Sequence, residues 1–171
     1  MSLTERKVNQ IREYLTTVPE GADVYIGCDS NRYKTGQGIW MASYTTVVVV
    51  AQTDPITGRR GGCRVFACTD KQQDYDQKKN RPMMRMMNEA YRSAEAYQQL
   101  EEDLLEHEVE LHLDINKDPK HGSNVAHNAA VGYLIGVTGR PVKTKPEAWA
   151  ATHVADHGVR GKFERNGIMV H

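Results

Sequence analysis

The sequence predicts an α/β protein built on one mixed five-stranded sheet with helices on both faces. Three observations point there. Three runs with strand character follow one another before residue 70 with turn-rich joints between them. Apolar residues then recur at helical spacing from Met83. After that, strand and helix patterns alternate to the end of the chain, as in βαβα units.

The elements follow in order. Leu3 to Thr17 sets Val8, Ile11 and Leu15 on one helical face, and Ser2 with Glu5 has the capping-box offset. From Asp23 to Asp29, Val24, Ile26 and Cys28 alternate with Tyr25, Gly27 and Asp29, the period of a strand. A turn over Asn31 to Gly38 leads into the β-branched run Ile39 to Gln52. The glycine- and proline-bearing stretch Thr53 to Gly62 precedes a third strand, Cys63 to Thr69, closing an antiparallel meander.

A polar linker, Lys71 to Arg81, and Pro82 introduce a helix reaching roughly Leu105. Val109, Leu111, Leu113 and Ile115 then mark a strand that a right-handed crossover lays parallel to an earlier one. Ser123 to Gly139 reads as a helix closed by its glycine, with Pro141 barring continuation. Pro141 to Thr144 forms a fifth short strand, and Pro146 to Gly158 a last helix. With 171 residues and no repeat, residues 1–171 are expected to form a single domain, the N-terminal helix (3–17) docking on it. The Val47 to Ala51 stretch would aggregate at an open edge, so it is expected to be covered by a helix or a second subunit, and an oligomer is possible.

Charge and composition exclude several classes. The 22 basic and 22 acidic residues cancel, unlike a protein that coats nucleic acid. The distribution is uneven: Pro82 to Asp118 holds 3 basic and 10 acidic residues, a local charge of −7. No apolar run is long enough to cross a membrane. Charges within Met1 to Thr17 argue against a secretory signal, so a cytoplasmic location is expected. Three cysteines, Cys28, Cys63 and Cys68, are expected as free, core-type thiols.

Four carboxylates stand where they could meet: Asp29 ending the first strand, Glu89 in the long helix, Asp114 near the end of the fourth strand and Asp156 in the last helix. If those strands are parallel neighbours, Asp29 and Asp114 face one side about 5 Å apart, at the rim where open α/β sheets place ligands. Two bare carboxylates at about 4 Å repel by roughly 4 kcal/mol near a protein surface. A shared proton or a divalent cation would offset that, and oxygen-rich ligands suit Mg²⁺ or Mn²⁺ better than Zn²⁺. Glu95 lies further along the same helix and becomes the inward carboxylate if the helical phase differs.

His153, three residues before Asp156, shares its helical face and could move protons or touch phosphate. His112 and His127 read as structural histidines. A zinc site using Cys28 lacks any supporting spacing. Ser30, Asn31, Arg32 and Lys34 after the first strand, and Lys143, Lys145, Arg160 and Lys162 near the last helix, flank the acids and could grip a phosphate backbone or sugar. Gly132, Gly136 and Gly139 lie within or at the end of a helix and form no dinucleotide fingerprint. With Ala126, Ala129 and Ala130 they imply close helix packing, and the Met83, Met84, Met86 and Met87 group implies core.

Val24-Tyr25-Ile26-Gly27-Cys28-Asp29-Ser30, Leu111-His112-Leu113-Asp114-Ile115-Asn116, Gly132-Tyr133-Leu134-Ile135-Gly136, and Lys145-Pro146-Glu147-Ala148-Trp149-Ala150-Ala151-Thr152-His153-Val154-Ala155-Asp156 resemble the bacterial YkuK-like family of the ribonuclease H-like superfamily. The likeness spans roughly Val24 to His157. It departs at Cys28 and Asn31, where that family tends to carry Thr and Gln. The resemblance implies a ribonuclease H-like sheet and a two-metal nuclease, with Mg²⁺ or Mn²⁺ held by Asp29, Glu89, Asp114 and Asp156. Its substrate would be RNA, an RNA/DNA hybrid or branched DNA. Two other functions fit the pattern less well: a non-catalytic nucleic-acid-binding module of the same fold, and a small-molecule enzyme with a deep pocket.

Overall fold

A computed structural model describes residues 2–53, 56–58, 60–76, 83–115 and 126–155. Its elements run α1 (Glu5–Leu15), β1 (Asp23–Lys34), β2 (Trp40–Thr53), β3 (Arg60–Gln73), α2 (Met83–Leu100), a 3-10 turn (Glu102–Leu104), β4 (Glu108–Leu113), α3 (His127–Thr138), β5 (Val142–Lys143) and a π-helical stretch (Ala150–Ala155). The five strands form one sheet in the order β3-β2-β1-β4-β5. The β1–β2 and β2–β3 pairs are antiparallel, and the β1–β4 and β4–β5 pairs are parallel.

One face of the sheet carries all three α-helices. Val24, Ile26, Val48, Val50, Phe66, Val109, Leu111 and Leu113 meet Val8, Ile11 and Leu15 of α1, Ala90, Ala94 and Leu100 of α2, and Ala130 and Leu134 of α3. Each fully buried Leu or Ile there contributes about 1.5–3 kcal/mol. On the other face, Tyr25, Val47, Val49 and Val65 are covered by Ala150, Val154 and Ala155. The last segment therefore covers its expected face, but as a π-helix, with i→i+5 hydrogen bonding, where an α-helix is predicted. Because β2 lies between β1 and β3 with Val47 to Val50 buried, the aggregation-prone run is an internal strand.

Two strands outrun their predicted ends. β1 continues from Asp29 to Lys34 and β3 from Thr69 to Gln73, since each finds partners on β2 (Lys34↔Trp40, Met41↔Gln73). On the α2 side of that extension ion pairs replace apolar packing. Arg92 bridges both oxygens of Asp70 at 2.9 and 2.6 Å and lies 3.7 Å over the Tyr44 ring. Arg32 Nε sits 2.6 Å from Asp74 Oδ2, its Nη2 donates to the Asp76 carbonyl, and its guanidinium lies 4.2 Å over Trp40.

The caps also differ from expectation. α1 is capped by Thr4, whose hydroxyl accepts from the Lys7 amide, because Ser2 is engaged with Glu95 through its own amide and hydroxyl at 3.1 and 2.8 Å. α3 ends, as predicted, at Gly139 in the left-handed region (φ 64°). Ala126 and Ala130 pack inward, but Gly132 and Gly136 face outward, and a Cβ at either would meet nothing within 4 Å. Close helix packing thus holds for the alanines at 126 and 130 alone. Met86 is buried whereas Met83 and Met84 are exposed, so the methionine group is only partly core. Cys28, Cys63 and Cys68 are free thiols, Cys28 fully buried.

Asp76 fixes the start of α2 by accepting from the Met84 and Arg85 amides at 2.9 and 3.0 Å. These donors have no partner inside the helix, so the cap is expected to be worth about 1–2 kcal/mol. Asp76→Ala should lower the free energy of unfolding in urea by that amount and Asp76→Asn by less. Equal stability of both variants and the parent would show that the cap does not hold α2.

Candidate metal centre

The sheet brings two of the predicted acids together by register. The last β1–β4 pair is Cys28↔Leu113, so Asp29 and Asp114 are the next residues on each strand. β4 ends there and β1 runs on, which leaves both aspartates at the rim, half-buried. Within β1, Cys28 packs on the helix side, so alternation turns Asp29 to the other face, whereas Asp114 lies just past the end of β4.

Glu89 comes from α2, where Ala90, Ala94 and Tyr97 fix the inward side. Its carboxyl is fully buried, and the Ser30 hydroxyl donates to Oε1 at 2.5 Å. Oε2 has no hydrogen-bond partner among the described residues. Glu95 is occupied at the other end of the helix, accepting from Ser2, so Glu89 is the helix carboxylate beside β1. Burial pushes the Glu89 carboxyl well above the usual glutamate range, the charge of Asp29 raises it further, the Ser30 hydrogen bond opposes this, and Asp114 adds to the rise.

Asp114 accepts from Lys145 Nζ at 2.7 Å. Lys145 reaches it because β5 lies beside β4 in parallel register, Leu111 opposite Val142 and His112 opposite Lys143. Lys143 and Asn31 are exposed. Lys34 is exposed and its ammonium lies 5.6 Å from the Trp40 ring, on the α2 side of β1 with Arg32. Arg32 is held by Asp74, the Asp76 carbonyl and Trp40, so it braces the extension of β1. His153 is placed by its backbone within the π-helical stretch. Asp156, with His157, Arg160 and Lys162, lies outside the described residues, as do Pro82 and Ser123.

His112 is a latch. It is fully buried between Tyr25 and Trp149, its Nδ1 accepts from the Ala150 amide at 3.1 Å, and its Nε2 therefore carries the proton directed at Glu110, 3.2 Å away. Burial pushes its pKa down, which keeps the ring neutral, while Glu110 pulls the other way. Both nitrogens are engaged. Cys28 is likewise unsuited as a soft ligand: burial, then the negative charge of Glu89, pushes its thiol well up, and Thr46 donates to Sγ at 3.6 Å.

Among the described residues, no group of three or more His, Cys, Asp or Glu side chains is placed to hold a metal ion. What the three acids offer is a rim of hard oxygens and a buried carboxylate oxygen with no partner among the described residues, in a field that penalises its charge. Carboxylate oxygens are the hard donors that Mg²⁺ and Mn²⁺ prefer over softer ligands.

A family model described as ribonuclease H-like matches residues 6–160 of the chain. No curated protein and no solved structure matches it.

Raising the Glu89 pKa on folding means that, without divalent cations, the folded chain binds more protons than the unfolded chain once pH passes about 4.5, the ordinary glutamate value. Stability from this group is fully present below that point and is lost as pH rises through the elevated folded pKa. In chelator, the parent should lose thermal stability relative to Glu89→Gln as pH climbs from 5 to 8. Parallel melting temperatures across that range would refute the burial of an unbalanced carboxylate.

Proposed function

Because the chain belongs to the ribonuclease H-like family, we propose that it is a divalent-metal-dependent nuclease hydrolysing phosphodiester bonds in RNA, an RNA/DNA hybrid or structured DNA. The single observation carrying this reading is that Asp29 and Asp114 each follow directly on the last β1–β4 pair, Cys28↔Leu113, and that the charges of both act on the buried carboxyl of Glu89. The charges of Asp29 and Asp114 both disfavour ionisation of Glu89, and a divalent cation would offset that cost.

Asp29, Glu89, Asp114 and, from the last segment, Asp156 would hold a pair of Mg²⁺ or Mn²⁺ ions. When bound, such a pair supplies the Lewis acidity that stabilises charge on the attacking and leaving oxygens of a phosphodiester. The chain's own contributions are positional. Ser30 fixes one oxygen of Glu89 and leaves the other available. Lys145 balances Asp114 and can turn its ammonium to a phosphate. Lys143 and Asn31 stand exposed near the rim to steer the backbone and sugar. The His112 latch seats the segment that bears His153, the proposed proton carrier to or from the reacting group.

Lys145 also motivates a second reading. With an ammonium already 2.7 Å from Asp114, the rim has a resident cation, which suits a non-catalytic nucleic-acid-binding module. The two readings separate cleanly. Labelled RNA, hybrid and branched DNA incubated with Mg²⁺ or Mn²⁺ should be cut, and Asp29→Asn or Asp114→Asn should slow cutting at least about 100-fold. Identical products from parent and variants would mark a contaminant and sink the nuclease reading. Metal-independent binding that survives Asp29→Asn, without turnover, would establish the binding module.

A further inference from the structure

The extension of β1 beyond β4 creates a sheet surface of which the proposed hydrolysis uses only Asn31. Past Asp29, the face of the sheet opposite α2 carries Asn31 and Tyr33 of β1, Ser43 of β2 and Lys71 of β3. Asn31, Lys71 and Gln73 are exposed, and Tyr33 and Ser43 are half-buried. Between Asp29 and Lys71, the Thr45 and Thr69 hydroxyls bond to each other across the strands at 2.8 Å. The Lys71 ammonium lies 6.0 Å from the Tyr33 ring centre, reaching diagonally over Ser43. Among the side chains that these register positions of β1, β2 and β3 direct to this face, Asp29 is the only acid.

The two faces of the same strands are built differently. Opposite this surface, Arg32 and Arg92 are consumed by Asp74 and Asp70, and Trp40 is stacked beneath Arg32. Here one aromatic ring, one lysine with no acidic partner among the described residues, and a set of small hydroxyl and amide groups stand in line with the acidic rim. Tyr33 is four residues from Asp29, about 13 Å along the strand, or a few nucleotides of polymer.

We propose that this face is a platform for single-stranded nucleic acid leading into the acidic rim, with a base stacked on Tyr33 and a backbone phosphate on Lys71. The inference rests on the nucleic-acid reading above and names its substrate class. Lys71 is the one charged side chain among Asn31, Tyr33, Ser43, Lys71 and Gln73, and its positive charge favours a phosphate-bearing chain. The aromatic selects a single strand, because a base in a duplex is already stacked on its neighbours and cannot lie on a side chain. Ring faces accept every base, so the platform positions a strand without reading its sequence.

Fluorescence anisotropy with a ten-nucleotide labelled RNA, single-stranded or annealed as a blunt duplex, tests this in chelator, where nothing is cut. The single strand should bind more tightly than the duplex. Tyr33→Ala should weaken it about tenfold, Tyr33→Phe should retain parental affinity, and Lys71→Ala should reduce the slope of log affinity against log salt by about 0.7. Arg6→Ala, on the outside of α1, controls for loss of one positive charge. Tyr33→Ala within twofold of the parent, Tyr33→Phe falling as far as Tyr33→Ala, or tighter duplex binding would overturn the platform. A chain that binds the single strand through Tyr33 yet cuts nothing in Mn²⁺ keeps the platform and loses the hydrolytic reading. A chain that cuts duplexes and is indifferent to Tyr33→Ala does the reverse.

Discussion

A carboxyl group taken wholly out of water, hydrogen-bonded through one oxygen and set near two aspartates, is the constraint on which the rest of this molecule turns. Glu89 can sit there only if α2 is held in one rotation and one axial position against the sheet. The surroundings of the helix supply both. Asp76 caps its start, Arg92 clips its middle to Asp70 on β3, and Gln99 near its end exchanges hydrogen bonds with the Leu3 backbone. Each of these contacts lies on a different turn, so the helix has little freedom to rotate the carboxyl out.

The second requirement is that the sheet present its aspartates at a rim. That follows from unequal strand lengths. β1 has 12 residues and β4 has 6, and the shorter strand stops beside the middle of the longer one. A side chain at that step is neither in the core nor in open solvent. The step also divides β1 by function, an apolar half buried between helix and π-helical segment, and a polar half paired only with β2.

Much of this was legible in the amino-acid order because hydrophobic periodicity tracks burial. Val24-Ile26-Cys28 and Val109-Leu111-Leu113 announce strands buried on the helix face, and Ala90 and Ala94 mark the inward side of α2. The exposed Met83, Met84 and Tyr91 share that apolar pattern and leave both Glu89 and Glu95 as inward candidates in sequence. The signal fails where ions replace apolar contacts. Ser30 to Lys34 and Asp70 to Gln73 look like turn and linker because their inward positions hold Ser30, Arg32, Asp70 and Gln72, satisfied by partners from distant parts of the chain. Pairing with β2 keeps them extended, and no local pattern reports pairing. The exchange of caps between Ser2 and Thr4 was hidden for the same reason, since Glu95 is 93 residues away. The π-helical turn near the end has no composition cue at all.

The strand order has a further bearing on when the rim comes into being. Joining β1 to β2 and β2 to β3 needs only short loops, whereas β1 meets β4 across 85 residues, as in the pair Asp23↔Glu108. Closing so long a stretch of chain costs more entropy than closing a hairpin, so the meander is the natural early nucleus and the parallel pair a late addition. Asp29 therefore waits alone on its strand during folding. Glu89 and Asp114 come beside it only with α2 and β4, the elements whose packing completes the hydrophobic core.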